Sequence, residues 1–248
     1  MNSPPSWLQT TEIFRRDNWK HGWSTTEGPD FRGEPDSPDH EAAVRQLVTS
    51  TGLTGGAWVR QVHGGTVLKA AEAGFLGEAD ALWTDQPGLG VIGRGADCPL
   101  ILVGGLKSDG HPVWGFAHAS WRSTLQGITS GLVLALAEAG ADPAGLQAVI
   151  CPSAGPCCYE VGEEVREQAL QALGPGAAWF FNQTMNRQTF DLWGANIDQL
   201  TNAGLSEKNV HNSGLCTICD TGLYPSYRRQ GQAAGRFAAV IGARQFPR

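Results

Sequence analysis

Of the six histidines and six cysteines in this 248-residue chain, three sit where a side chain could do chemistry: His63, Cys98 and His118. His63 closes the strand-like run Trp58-Val-Arg-Gln-Val-His63 and precedes Gly64-Gly65, so its ring is expected where a strand opens into a loop. Cys98 lies in Gly95-Ala-Asp-Cys-Pro99, where the proline imposes an extended conformation on Cys98 at the mouth of an apolar run. His118 ends Val113-Trp-Gly-Phe-Ala-His118, with strand behind it and a helix start ahead. Two imidazoles and one thiolate suit zinc and leave a fourth position for water or substrate. Each residue also has a plainer reading: a surface histidine, a buried thiol packing as a small hydrophobe, and a core histidine bonded to a backbone carbonyl. Separations of 35 and 20 residues make no compact metal motif, so the elements between them must bring the three together.

Those elements are mostly strands in the first half of the chain. Short β-type runs are expected at 57–63, 66–70, 80–84, 90–93, 100–103 and 113–118. A helix then starts after Ser120 or Ser123, carries Leu125, Ile128, Leu132 and Leu136 at helical spacing, and stops at Gly140 before Asp142-Pro143. A strand at 146–150 follows. A second helix is marked by Val161, Val165, Ala169 and Leu173, and a third spans about 195–203. Residues 179–181 and 237–241 read as strands, the latter with a helical alternative, and the Pro-, Gly- and acid-rich stretch 29–40 reads as a surface loop. The strand-then-helix order in both halves hints at a duplicated layout.

The composition, 41% hydrophobic with 33 glycines and 17% charged residues, describes a turn-rich globule, read as one domain over 1–248. A net charge of -6 repels phosphate backbones, which argues against nucleic-acid binding and leaves room for a small anion in a local basic pocket. The start shows no secretory pattern, and the best apolar run, 98–106, is far too short for a bilayer span, so a cytoplasmic protein with reduced thiols is expected. Cys216-Thr-Ile-Cys219 has the spacing of a redox pair or half a zinc knuckle, with no second pair in the sequence to complete it. Adjacent Cys157 and Cys158, with Cys151, are expected to pack in the interior. His21, His40, His111 and His211 lie beside loop-forming residues and are expected in solvent.

Six segments in order carry a resemblance: Gln61-Val-His-Gly64, Ala79-Asp-Ala-Leu-Trp-Thr84, Gly95-Ala-Asp-Cys-Pro99, Ala117-His-Ala-Ser-Trp-Arg122, the run 152–162, and Ser226-Tyr-Arg-Arg229 with Gly235-Arg236. From about Trp58 to Ile241 the chain resembles the laccase-domain family, once described as polyphenol or multicopper oxidases and now regarded as purine nucleoside phosphorylases with adenosine deaminase activity. Residues 1–56 are diverged. The resemblance implies an α+β fold, a layered sandwich of packed mixed sheets flanked by helices. It implies zinc held by His63, Cys98 and His118, and a nucleoside and phosphate as small-molecule partners of a monomer or homodimer.

Catalysis would rest on Cys98, His118 and Arg122, and substrate binding on Gln61, Asp97, Glu160 and Arg228. Zinc would activate water for deamination, with Asp97 or Glu160 moving protons, and Arg122 with Arg228 would hold phosphate in line for attack on the ribose. Some positions depart from the family pattern. Serines at 120 and 123 stand where the family pattern has glycines and are expected to narrow the pocket; Glu27 stands near the position of a usual cation, and Cys151 replaces a more frequent glycine. Three alternatives stay open: a copper-dependent phenol oxidase, a cysteine-type amide hydrolase of the peptidoglycan-editing kind, and a binding module without catalysis.

Overall fold

A computed structural model describes residues 4–14, 18–185 and 187–244. One six-stranded sheet holds, in spatial order, β1 (Leu8–Gln9), β2 (Trp19–Ser24), β14 (Phe237–Ala243), β7 (Leu89–Gly95), β3 (Gly55–Arg60) and β5 (Gly74–Glu78). The second, also six-stranded, holds β13 (Val210–Asn212), β10 (Gln147–Ile150), β8 (Leu100–Leu106), β9 (Pro112–His118), β6 (Ala81–Thr84) and β4 (Val67–Lys69). A hairpin of β11 (Phe181–Thr184) and β12 (Arg187–Phe190) stands apart. From β3 to β8 successive strands alternate between the two large sheets, so the pair is interleaved along the chain.

Side-chain alternation builds the layers. In β8, Leu100 and Leu102 face the other sheet, while Ile101 and Val103 face the helical layer. In β9, Trp114 and Phe116 turn inward, and Val113 and Ala117 meet Ile128, Leu132 and Leu136 of a helix. Opposite them, Phe237, Ala239 and Ile241 of β14 fill the space between sheets, while Ala238 and Val240 contact Val44, Leu47 and Val48 of another helix. Both faces of each central strand are therefore covered, which is why these strands read as continuous apolar runs. The order of layers is helix, sheet, sheet, helix, the layered α+β sandwich that the sequence suggested.

The expected strands between 57 and 118 all form, with shifted ends; β3 stops at Arg60 and leaves His63 in the turn beyond it. Three expectations are corrected. The loop expected over 29–40 gives way at Ser37 to α1 (Pro38–Thr51). Ser37 caps the first turn, Pro38 suits its start, and Gly52 at φ 73° ends it. The single helix after Ser120 is two, α2 (Trp121–Leu125) and α3 (Ile128–Glu138), divided at Gly127 with φ 71°. Residues 175–180 form a 3-10 turn rather than a strand, with Trp179 exposed, and strand begins at Phe181. The helices predicted further on are α4 (Glu163–Leu173) and α5 (Leu192–Asn202), and a short α6 (Tyr227–Gln230) follows.

Two of the histidines expected in solvent are buried. His21 on β2 packs its ring against Phe14, and burial lowers its pKa to about 4. His40 on α1 lies between the rings of Phe31 and Trp58, and burial, with Arg94 nearby, also lowers it to about 4. His111 and His211 are exposed as expected. Among the described residues no helix is long and apolar enough to cross a membrane.

Phe116 is fully buried between the sheets. Its replacement by alanine leaves a cavity that two stiff sheets cannot close, so Phe116→Ala is expected to lose about 3–5 kcal/mol in urea unfolding. A loss under about 1 kcal/mol would contradict this packing.

Candidate functional site

The site follows from strand register. His118 is the last residue of β9 and pairs with Leu100 at the start of β8, which sets Cys98 just ahead of that strand at its flank. On the other side Ala117 pairs with Ala81, so Asp80 lies beside His118, whose N–H donates to the Asp80 carbonyl at 2.7 Å. The third member arrives through the Asp80 side chain. That fully buried carboxylate accepts the backbone N–H groups of Val62, His63 and Gly64 at 3.1, 3.0 and 2.7 Å. Its Oδ1 also lies 2.8 Å from His118 Nδ1. One acid thus fixes both the turn that carries His63 and the ring of His118. With Nδ1 bonded to a carboxylate, Nε2 is the nitrogen left to bind a metal, the carboxylate–histidine pairing typical around metal ligands.

The donor atoms of His63, Cys98 and His118 lie within 4.8 Å of one another, and the two imidazole rings are 5.1 Å apart. A tetrahedral ion with bonds of about 2.0–2.3 Å holds its donors about 3.3–3.8 Å apart, inside the 4.8 Å limit. Two residues hold unusual backbone to achieve it: His63 has φ 61° and Asp97 φ 88°. Side chains other than glycine enter this left-handed region at a cost, which here is met by the hydrogen bonds around each turn.

Electrostatics couple the trio. Burial alone would push the Cys98 thiol up, but the charge of His118 and hydrogen bonds from His118 and His63 bring it down to about 6. Burial would likewise keep His118 neutral; the Cys98 thiolate and the Asp80 carboxylate instead raise it to about 9. Asp80 resists burial through its bonds to His118, Gly64 and Val62 and stays below the usual carboxylate range. Without metal the pair is a thiolate beside an imidazolium. This arrangement offers two chemistries, metal ligation by a soft and borderline donor set, or a cysteine nucleophile with a histidine base oriented by an acid.

The other residues singled out by sequence fall into two groups. Gln61 and Asp97 are structural in their contacts. The Gln61 amide donates to the Arg94 carbonyl at 2.8 Å and accepts the Arg94 N–H at 2.9 Å, extending the pairing of β3 with β7. Asp97 accepts the Thr217 hydroxyl at 2.7 Å and the Arg228 N–H at 2.6 Å, so its two carboxylate oxygens tie the Cys98 turn to the segment at Thr217 and to the first turn of α6. Glu160 turns its exposed carboxylate toward Arg187 at 3.6 Å. Of the two cations, Arg228 lies over the Tyr159 ring at 5.3 Å and donates to the Glu160 carbonyl, and Arg122 lies over Trp121 at 4.2 Å.

Sequence reasoning did not assign a role to Asp80 or Tyr159. Asp80 was visible only as part of a motif. Burial pushes the Tyr159 hydroxyl above its ordinary range; the Cys98 thiolate adds to the shift and Arg228 opposes it, which places the phenol among the site's charges. Ser120 and Ser123, expected to narrow the pocket, are buried and bonded to each other at 2.8 Å, where Ser120 caps α2. The adjacent cysteines are also corrected: Cys157 is exposed and Cys158 half-buried, and both stand beside Cys216 and Cys219, while Cys151 is buried as expected. Two larger hollows, of about 630 and 740 Å³, touch none of His63, Cys98 or His118; donor chemistry, not hollow size, marks the site.

Two measurements follow from this geometry. In the metal-free protein, the rate of Cys98 alkylation should rise with a midpoint near pH 6, because below it the thiolate is protonated. His118→Ala should move that midpoint up by at least about one unit, and an unmoved midpoint would remove His118 as the cause. Asp80→Asn should weaken metal binding about 10–100-fold in chelator competition, and wild-type affinity in that variant would refute the orienting role of the carboxylate.

Residues 31–244 match the family described as multi-copper polyphenol oxidoreductase laccase. The chain is 35% identical over 215 residues to a protein named purine nucleoside phosphorylase from Deinococcus radiodurans, covering 86% of this chain and 80% of that one. It is 31% identical over 209 residues to purine nucleoside phosphorylase YfiH of Escherichia coli, covering 83% and 82%. The crystal structure of YlmD from Geobacillus stearothermophilus superposes with a TM-score of 0.79 at 27% identity, over 97% of this chain and 100% of that one. A Neisseria meningitidis protein gives a TM-score of 0.83 at 25% identity over the same shares, 97% and 100%. The resemblance seen in six sequence segments is borne out, and the chain belongs to this laccase-like family, whose curated members include proteins named purine nucleoside phosphorylase.

Proposed function

We propose that this protein is a zinc-dependent purine nucleoside phosphorylase that also deaminates adenosine, acting as one catalytic unit in the cytoplasm. The observation that carries the reading is the convergence of His63, Cys98 and His118 with Asp80 behind His118. The names of the relatives supply the substrate class. The donor set fits the metal: two imidazoles and a thiolate already held as an anion give a three-ligand site with a position left open. Zinc bound there would supply Lewis acidity for polarising water or the purine.

The chain's own residues do the rest. In phosphorolysis a phosphate oxygen bonds to ribose C1′ as the bond from C1′ to the purine nitrogen breaks and the base leaves. Arg122 and Arg228 bind and orient the phosphate, Arg228 being held in place by the Tyr159 ring and the Glu160 carbonyl. Tyr159 keeps its proton at neutral pH and is available to donate a hydrogen bond to the bound nucleoside or phosphate. In deamination water adds at C6 and ammonia leaves. Asp97, with both oxygens occupied, positions the Cys98 turn instead of carrying the proton, which leaves Glu160, exposed beside Arg187, as the carboxylate to move it.

Copper oxidation of phenols is less favoured. Among the described residues His21, His40, His111 and His211 join no group of three metal donors, so no histidine-rich cluster accompanies the trio. The order Cys98, His118, Asp80 does favour a second reading, a cysteine-type amide hydrolase. His63, a further imidazole turned onto the same sulfur, favours the metal instead.

Zinc-loaded protein incubated with adenosine and phosphate should give adenine and ribose 1-phosphate, and without phosphate inosine. His118→Ala should lower both rates at least about 100-fold. Arg228→Ala should raise the KM for phosphate about tenfold and spare deamination, as loss of one charge-assisted contact implies. Unchanged adenosine after long incubation rejects the reading. Cleavage of an amide substrate that survives chelation but not alkylation of Cys98 transfers the site to the second reading.

A further inference from the structure

Four cysteines, Cys157, Cys158, Cys216 and Cys219, converge in a group separate from His63, Cys98 and His118. Cys157 and Cys158 lie on a tight turn in which the N–H groups of Cys158 and Tyr159 both donate to the Gly155 carbonyl, at 3.0 and 2.9 Å. Cys216 and Cys219 lie on the segment beside it. Ser153 and Cys216 form a parallel bridge, with Ser153 donating to the Leu215 carbonyl at 3.1 Å and Thr217 to the Ser153 carbonyl at 3.0 Å. Gly155 permits the close approach, since a Cβ there would meet the Trp193 ring at 2.8 Å and Cys216 Cβ at 3.2 Å. The pair that the Cys216-Thr-Ile-Cys219 spacing lacked in sequence is thus supplied by two adjacent residues.

Cys219 Sγ lies 3.1 Å from Cys158 Sγ and 3.5 Å from Cys157 Sγ, and all four sulfurs lie within 4.8 Å of one another. None is in a disulfide. A tetrahedral ion with bonds of about 2.3 Å to sulfur holds its ligands about 3.8 Å apart, within the range spanned here. The surroundings suit a thiolate cluster. The Gly155 N–H donates to Cys216 Sγ at 3.3 Å, and the backbone N–H groups of Ile218 and Cys219 turn toward the same sulfur. The Arg187 guanidinium, bonded to the Cys157 carbonyl at 2.6 Å, places a positive charge next to a site that four thiolates make net negative.

We propose that Cys157, Cys158, Cys216 and Cys219 bind a second zinc ion, a structural one, separate from the centre at His63, Cys98 and His118. Four thiolates leave no open position, which is the mark of a structural site, and sulfurs this close enclose one ion rather than an iron–sulfur cluster. The ion clamps the turn that leads into Tyr159 to the segment that carries Thr217, the partner of Asp97. It therefore braces, through Thr217 and Asp97, the turn that carries Cys98. The inference does not depend on the nucleoside reading.

The test is zinc content of the full-length protein, purified under reducing conditions with zinc and measured by native mass spectrometry and elemental analysis. Wild type should carry about two zinc ions per chain, and Cys98→Ala and the double variant Cys157→Ser/Cys219→Ser about one each. A wild type with one zinc that Cys98→Ala keeps and the double variant loses would uphold this site and reject the catalytic one. Should the double variant fail to fold, cobalt bound to Cys98→Ala decides: the strong charge-transfer and tetrahedral ligand-field bands of a tetrathiolate are expected. A Cys98→Ala protein that binds neither zinc nor cobalt, a double variant with wild-type zinc content, or iron in place of zinc would overturn the proposal.

Discussion

The hydrogen bonds of one buried carboxylate hold the candidate site together. Asp80 has no exposed surface, yet it keeps its charge because three backbone N–H groups and the His118 ring surround it. Those same bonds fix the turn at His63 and aim the free nitrogen of His118 away from Asp80. Removing the carboxylate would free two of the three donors at once, whereas removing any one donor would leave the other two in place. The carboxylate's hydrogen bonds go to the backbone and the ring that carry the donors, so it acts through the groups it positions.

Why Asp80 sits there is a matter of strand pairing. β9 is paired on both sides, with β8 and β6, and both neighbours begin level with its last two residues. Residues that immediately precede β6 and β8 are therefore brought to the end of β9, and they are Asp80 and the Asp97-Cys98 pair. A slip of one residue in either register would turn His118 toward the opposite face. The buried side chains between the sheets and under α3 oppose any such slip, so packing far from the site sets the precision of its donors.

Much of this was legible in the sequence, for physical reasons. Strands covered on both faces leave long apolar runs, which is why 100–103 and 113–118 could be read directly. His63, Cys98 and His118 stood out because each is a reactive side chain at the edge of such a run. What escaped was information carried by contact between distant segments. Asp80 looks like any aspartate before a strand until the register is known. Tyr159 and the partnership of Cys157 and Cys158 with Cys216 and Cys219 depend on a bridge between segments about 60 residues apart, which no local period records. The start of α1 was missed for another reason: Ser37 and Pro38 are good starting signals, but they sit in a Pro- and acid-rich stretch that reads as loop.

The central claim is that His118 binds its ion through Nε2 because Asp80 holds Nδ1. Anomalous diffraction at the zinc edge, from crystals of the zinc-loaded protein, tests it most directly. A peak bonded to His63, Cys98 and His118 Nε2, with His118 Nδ1 still on Asp80, is the result the proposed zinc site predicts. A peak elsewhere with the trio empty, or a His118 ring turned so that Nδ1 faces the ion, would contradict it.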